Sequence, residues 1–198
     1  MSIWQDRYAP SYQDGVGIRA NAQLHRSSYE ITAVLNHAGL LTPGVKIFEI
    51  GAGGGRNLTY INDACPSAVL LLNDLHRSAS FANMHESIVE KVTFMEIDTR
   101  SLFREHTITD IDVLLCCDHL MHLDRDTADE VLRAIETRWR PRFAVFRECK
   151  PFMEDRERYY PRLYHDVTLS GFTNTWLSTS RADERYTISV WKRNDITE

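Results

Sequence analysis

The segment Ile47-Phe48-Glu49-Ile50-Gly51-Ala52-Gly53-Gly54-Gly55-Arg56-Asn57-Leu58 decides the reading of this chain. A buried strand, Val45 to Ile50, runs into a glycine-dense turn, and the turn opens a helix over Arg56 to Ala64. Glycine permits positive φ and lets the backbone come close to a ligand. In an open parallel sheet such turns stand at the carboxyl ends of strands, where ligands bind near the switch in strand order. A dinucleotide loop reads Gly-x-Gly-x-x-Gly. Counted from Gly51, its third glycine falls on Arg56. The spacing present is Gly51-x-Gly53-x-Gly55, with Glu49 ahead of it. A carboxylate at that place repels a pyrophosphate and suits a cationic or hydrogen-bond-donating ligand.

Outward from the loop, strand and helix signals alternate. Ala68 to Asn73 reads as a strand, His76 to Glu90 as a helix and Val92 to Ile97 as a strand. Ile111 to Cys117 is a further strand, Asp124 to Arg138 a helix and Phe143 to Phe146 a fifth strand. Short strands of continuous apolar character are buried on both faces, as in a parallel sheet. Helical segments between them imply right-handed crossovers. After Ser170-Gly171-Phe172 the rhythm changes: Thr173 to Ser180 and Tyr186 to Arg193 flank the polar turn Arg181-Ala182-Asp183-Glu184, the pattern of a hairpin. The expected fold is α/β: a doubly wound, mostly parallel seven-stranded sheet with helices on both faces and a C-terminal antiparallel hairpin. Upstream, residues 26–39 carry a helical stripe (Tyr29, Val34, Leu35, Ala38) that Gly39 ends. Residues 1–25 read as an irregular or partly helical arm. One domain over 1–198 is expected, with 1–44 capping the site and 45–198 forming the core.

Composition is consistent with that. The 198 residues are 43% hydrophobic and 26% charged, enough for one core without disulfide or metal staples. Cys65, Cys116, Cys117 and Cys149 form no CxxC pair and read as reduced thiols of a cytoplasmic protein. No signal peptide is expected at the polar, aromatic N-terminus, and no apolar run approaches the ~20 residues of a membrane span. The net charge of -5 argues against a protein that wraps nucleic acid. The arginine-rich stretches, Arg133 to Arg147 and Arg156 to Arg162, read as solvated faces or as a local patch. No metal is expected, because His119 and His122 lack a third ligand.

Two further acids fall where a cofactor needs them. Asp74 ends the second strand and Asp98 the third. With Glu49, Gly51, Gly53 and Gly55 as the first motif, residues 45 to 193 resemble the class I S-adenosylmethionine-dependent methyltransferases. The resemblance implies S-adenosylmethionine as cofactor and S-adenosylhomocysteine as product. It implies that Asp74 takes the ribose hydroxyls and that Asp98 with Thr99 meets the adenine. Ala52, Asn57 and Leu75 are expected beside the cofactor. Asp118-His119-Leu120 resembles the segment bordering cofactor and substrate. Ser170-Gly171-Phe172 resembles the turn into the sixth strand, and Trp4 to Tyr8 an arm that closes over the site. Each acid also has a plain structural reading. Asp74 and Asp98 suit helix caps, and Glu49 a satisfied structural carboxylate.

Methyl transfer is an in-line displacement at an activated centre, so the protein must chiefly position and desolvate the acceptor. His119, His122 and Asp118 are the candidates for catalysis, as base or as positioning group. The Asn/Asp-Pro-Pro-aromatic motif of enzymes that methylate exocyclic amino groups is absent, and so is the Pro-Cys of base C5 methylation. The expected activity is methyl transfer to a small or medium-sized acceptor. Its alternatives are a cofactor-binding protein without transfer activity, or an enzyme acting on nucleic acid or protein. A nucleotide-dependent oxidoreductase is disfavoured by Arg56 and Glu49. Acceptor identity and oligomeric state are not legible.

Overall fold

The computed structural model describes residues 19–75, 86–106, 108–149 and 167–196. The expected arm over 1–18, with Trp4 to Tyr8, lies outside the described residues. So do most of the helix expected over 76–90 and the arginine- and tyrosine-rich stretch 150–166.

The first helix, α1, spans Arg19–His37. It starts earlier than the apolar stripe suggested. Gly39, at φ 70, turns the chain back, and Leu40 N–H closes the helix end onto Leu35 O. Strand β1 (Lys46–Ile50) and helix α2 (Arg56–Ala64) follow. Next come β2 (Val69–Asp74), a single turn α3 (Glu86–Val89) and β3 (Val92–Glu96). Helix α4 (Thr99–Glu105) leads to β4 (Val113–Cys117), and a 3-10 turn over Leu120–His122 to α5 (Arg125–Ala134). The expected helix through Arg138 instead ends in a π-helical turn, Ile135–Trp139, stopped by Arg140 at φ 45. Strands β5 (Phe143–Cys149), β6 (Phe172–Thr179) and β7 (Tyr186–Arg193) complete the chain.

The sheet has seven strands in the order β3-β2-β1-β4-β5-β7-β6. The first five in sequence pair in parallel, and β7 pairs antiparallel with both β5 and β6. The expected doubly wound sheet with its terminal hairpin is therefore what forms. Strand residues alternate between two cores, as the period of two requires. Phe48, Leu114, Ala144 and Phe146 face α4 and α5, where Trp139 packs edge-on to Phe48 at 5.5 Å. Ile47, Leu72, Val113, Leu115 and Val145 face Ile31 and Leu35 of α1 and Leu58 and Ile61 of α2. Edge strand β6 instead alternates half-buried and exposed positions after the buried Phe172, as a strand with one wet face should. Strand order reverses between β1 and β4, so their carboxyl ends open a cleft. Among the described residues, no helix is long and apolar enough to cross a membrane.

Candidate functional site

Gly51, Gly53 and Gly55 take φ of 64°, 56° and 67°, so the 51-53-55 spacing marks the left-handed positions of the loop. Gly51 has a second reason to lack a side chain. A Cβ there would stand 2.0 Å from His119 Nδ1. Gly53 is fixed by its amide, which donates to Asp74 Oδ2 at 2.6 Å, while Ala52 N–H reaches Asn73 O at 2.9 Å. Gly55 caps α2 and lines no part of the cleft.

The cleft has two lobes, of about 520 and 250 Å³, which share Gly51, Asp74, His119 and His122 on their walls. Leu75, Asp98 and Thr99 line the larger lobe. Glu49, Ala52, Gly53, Asn57 and Asp118 line the smaller. Apart from Gly55, every residue expected to contact the cofactor borders one lobe or the other. Arg56 and Arg147 also line the smaller lobe.

Glu49 is among the described side chains that keep a buried polar atom without a partner. It is 1% exposed, and Asn57 Nδ2 donates to its Oε1 at 2.6 Å. Its Oε2 is buried without a partner. Burial pushes its pKa up to about 8, with nearby Asp74 adding to the rise and the Asn57 bond opposing it. The structural reading of a satisfied carboxylate therefore fails for Oε2.

Asp74 and Asp98 both carry structural duties. Besides Gly53, Asp74 accepts from its neighbour Leu75 N–H at 2.7 Å. Each oxygen keeps a further lone pair. Asp98 is the N-cap of α4, its Oδ1 accepting from Arg100 N at 3.0 Å and Ser101 N at 3.1 Å. Hydrogen bonds from Ser101 and Arg100 hold its carboxyl below the usual range. The cap reading of Asp98 is thus realised, at a position that still faces the larger lobe.

After β4 the chain turns through Asp118 at φ 57, a conformation that costs a non-glycine residue energy and persists only when its surroundings enforce it. Two residues of β5 enforce it. Arg147 Nη1 pairs with the Asp118 carboxylate. Glu148 accepts the amides of Leu120 at 3.1 Å and Met121 at 3.2 Å. Burial pushes Glu148 up to about 8, with Asp118 contributing and these amides opposing. The apolar pattern ends the fifth strand at Phe146 and leaves Arg147, Glu148 and Cys149 after it. They belong to it, and the misplacement has a cause: buried charge interrupts the apolar run that marks a strand.

The turn so held presents His119. Its ring lies on Gly51, and its Nε2 is 2.9 Å from Thr99 Oγ1. Burial pulls its pKa down to about 4, against an opposing pull from Asp74. At neutral pH the ring is uncharged and forms the wall between the lobes. Among the described residues no group of three or more His, Cys, Asp or Glu is placed to hold a metal.

No family model matches the chain, and no match is found among curated proteins. Solved structures do match. Magnesium protoporphyrin IX methyltransferase from Synechocystis PCC 6803, with bound S-adenosylmethionine, superposes with a TM-score of 0.72 at 18% identity, covering 97% of this chain and 92% of that one. The fold is that of the class I methyltransferases. Mitomycin 7-O-methyltransferase matches with a TM-score of 0.71 at 15% identity, over 98% of this chain and 61% of that one. The Burkholderia thailandensis 1,6-didemethyltoxoflavin-N1-methyltransferase, with that acceptor and S-adenosylhomocysteine bound, matches at 0.70 and 17% identity, over 97% and 88%.

Proposed function

We propose that this chain is an S-adenosylmethionine-dependent methyltransferase acting on a small or medium-sized acceptor. The observation that carries this is Glu49 Oε2. A buried carboxylate oxygen without a donor, beside a glycine loop that no dinucleotide motif matches, calls for a cationic donor in the cleft. The α-ammonium of the cofactor is such a donor. The class I methyltransferase fold supports the same reading.

In this reading the larger lobe takes the adenosine half, with Asp74 accepting from the ribose hydroxyls and Asp98 and Thr99 at the adenine. The smaller lobe takes the amino-acid half at Glu49 and Gly53, and admits the acceptor between Asp118 and His122. When bound, S-adenosylmethionine supplies a methyl group already activated on a positive sulfonium. The protein's own part is orientation and exclusion of water. His119, with a pKa of about 4, is a weak base at neutral pH and serves as a wall that aligns both lobes. Asp118, tied to Arg147, orients the acceptor rather than taking its proton.

Calorimetry with S-adenosylhomocysteine, S-adenosylmethionine, NAD and NADP tests the assignment. The expected result is that the two sulfur compounds bind and the dinucleotides do not. Absence of binding by either sulfur compound at millimolar concentration would overturn it.

A further inference from the structure

Two guanidinium groups line the smaller lobe, and the more deeply buried one keeps a donor without a partner. Arg147 is 3% exposed, so its charge is almost fully removed from water. Asp118 takes Nη1, and the Tyr186 ring lies 3.9 Å beneath the guanidinium carbon. On its other edge, Nε–H is buried and has no partner. That edge is the one an arginine uses to grip a carboxylate with two parallel hydrogen bonds. Arg56 is half-buried, and its guanidinium makes no hydrogen bond or ion pair among the described residues. Burial pulls its pKa down, and Asp118 and Glu49 only oppose that in part. The anions nearby have other work. Asp74 holds the amides of Gly53 and Leu75, and Asp118 holds Arg147. Neither carboxylate reaches the Nε edge of Arg147.

We propose that the methyl acceptor carries a carboxylate, held on the free edge of Arg147. The inference rests on the methyl-transfer reading above. Two molecules in such a cleft bring carboxylates, the cofactor's amino-acid end and the acceptor. Position favours the acceptor. An α-amino acid holds its ammonium and carboxylate on one carbon, so a ligand anchored at Glu49 presents its carboxylate beside β1 and Arg56. Arg147 stands on β5, with β4 between. At the usual strand spacing that is roughly 10 Å further along the sheet. An acceptor anion there also faces the cofactor's positive sulfonium, which draws it toward the reacting methyl group.

The test is nitrogen-15 NMR of the arginine Nε–H resonances in the full chain, assigned with Arg56→Lys and Arg147→Lys. Acetate and its neutral match acetamide are titrated into protein saturated with S-adenosylhomocysteine, at fixed ionic strength made up with chloride. The expected result is a saturable shift of the Arg147 resonance with acetate and none with acetamide, while the Arg56 resonance stays in place. Arg147→Lys weakens acetate binding about tenfold, because the ammonium lacks the two-pronged edge. If S-adenosylhomocysteine alone moves the Arg147 resonance and acetate adds nothing, the carboxylate belongs to the cofactor and the inference is wrong. If acetate does not move the Arg147 resonance, the inference is also wrong, while the methyl-transfer reading stands. If S-adenosylhomocysteine itself does not bind, both fall together.

Discussion

Glu49 on β1 and Glu148 on β5 are each 1% exposed, and burial pushes both to a pKa of about 8. Their surroundings differ. Glu148 has one backbone amide on each oxygen, and those amides belong to the turn that carries His119. Glu49 has one oxygen bonded to Asn57 and one with nothing. The same shift therefore has two meanings. A buried acid with both oxygens bonded is architecture, and its removal weakens the fold. A buried acid with an orphan oxygen is a waiting contact, and its removal weakens a ligand. The pKa alone does not separate them; the count of donors does.

Glu49→Gln makes the largest break in that comparison. Losing a charge-assisted bond to the cofactor's ammonium costs about 2–3 kcal/mol, so calorimetry should show S-adenosylhomocysteine binding roughly 100-fold more weakly. The ligand-free melting temperature should hold or rise near pH 7, since folding of the amide variant takes up no proton there. A fall in stability with unchanged affinity would put Glu49 in the same class as Glu148.

Glu148→Gln should do the reverse. A glutamine sets an N–H against one of the two amides, at a cost of about 2 kcal/mol. Denaturant unfolding measures that loss. Affinity for S-adenosylhomocysteine should change by only about threefold, through the loosened His119 turn.

Asp74→Asn lies between the two, because Asp74 both ties the loop and faces the cofactor. It should weaken binding about tenfold, or ~1.4 kcal/mol, by calorimetry. A binding loss without any loss of stability would mean that the Gly53 and Leu75 amides find other acceptors.

The remaining effect is in pH. Both folded-state values lie above the ordinary 4.5. Between about pH 4.5 and 8 the folded chain holds protons that the unfolded chain has lost. Stability from these groups is present in full below that window and declines as pH rises through it, by at most ~1.4 kcal/mol per pH unit for each. Melting curves of the ligand-free protein from pH 5 to 8 should slope downward, and either glutamine variant should flatten the slope.

Much of this was legible because backbone demands write themselves into sequence. The spacing of Gly51, Gly53 and Gly55 records three left-handed positions, and the apolar runs at Val113 to Cys117 and Leu70 to Leu72 record strands covered on both faces. The terminal hairpin showed in its polar turn. The C-terminal half of β5 did not show. Arg147 and Glu148 interrupt an apolar run, and what makes them buried lies far along the chain, at Asp118, at the amides of residues 120 and 121 and at Tyr186. No local pattern reports such partners. Asp98 posed the opposite difficulty, since Asp is both a favoured N-cap and an expected adenine contact, and only coordinates reveal the cap. For His119 the sequence suggested a base. The burial that lowers its pKa comes from packing on Gly51, which spacing does not encode.

The central claim is that Glu49 awaits the ammonium of the cofactor. A protonated Glu49 must ionise when that cation binds, so binding near neutral pH must release a proton. Calorimetry of S-adenosylhomocysteine binding at pH 7, in buffers of different ionisation enthalpy, measures this directly. The account predicts release of close to one proton by the native chain and none by Glu49→Gln. Binding that releases no proton, or equal affinity in the variant, would contradict it.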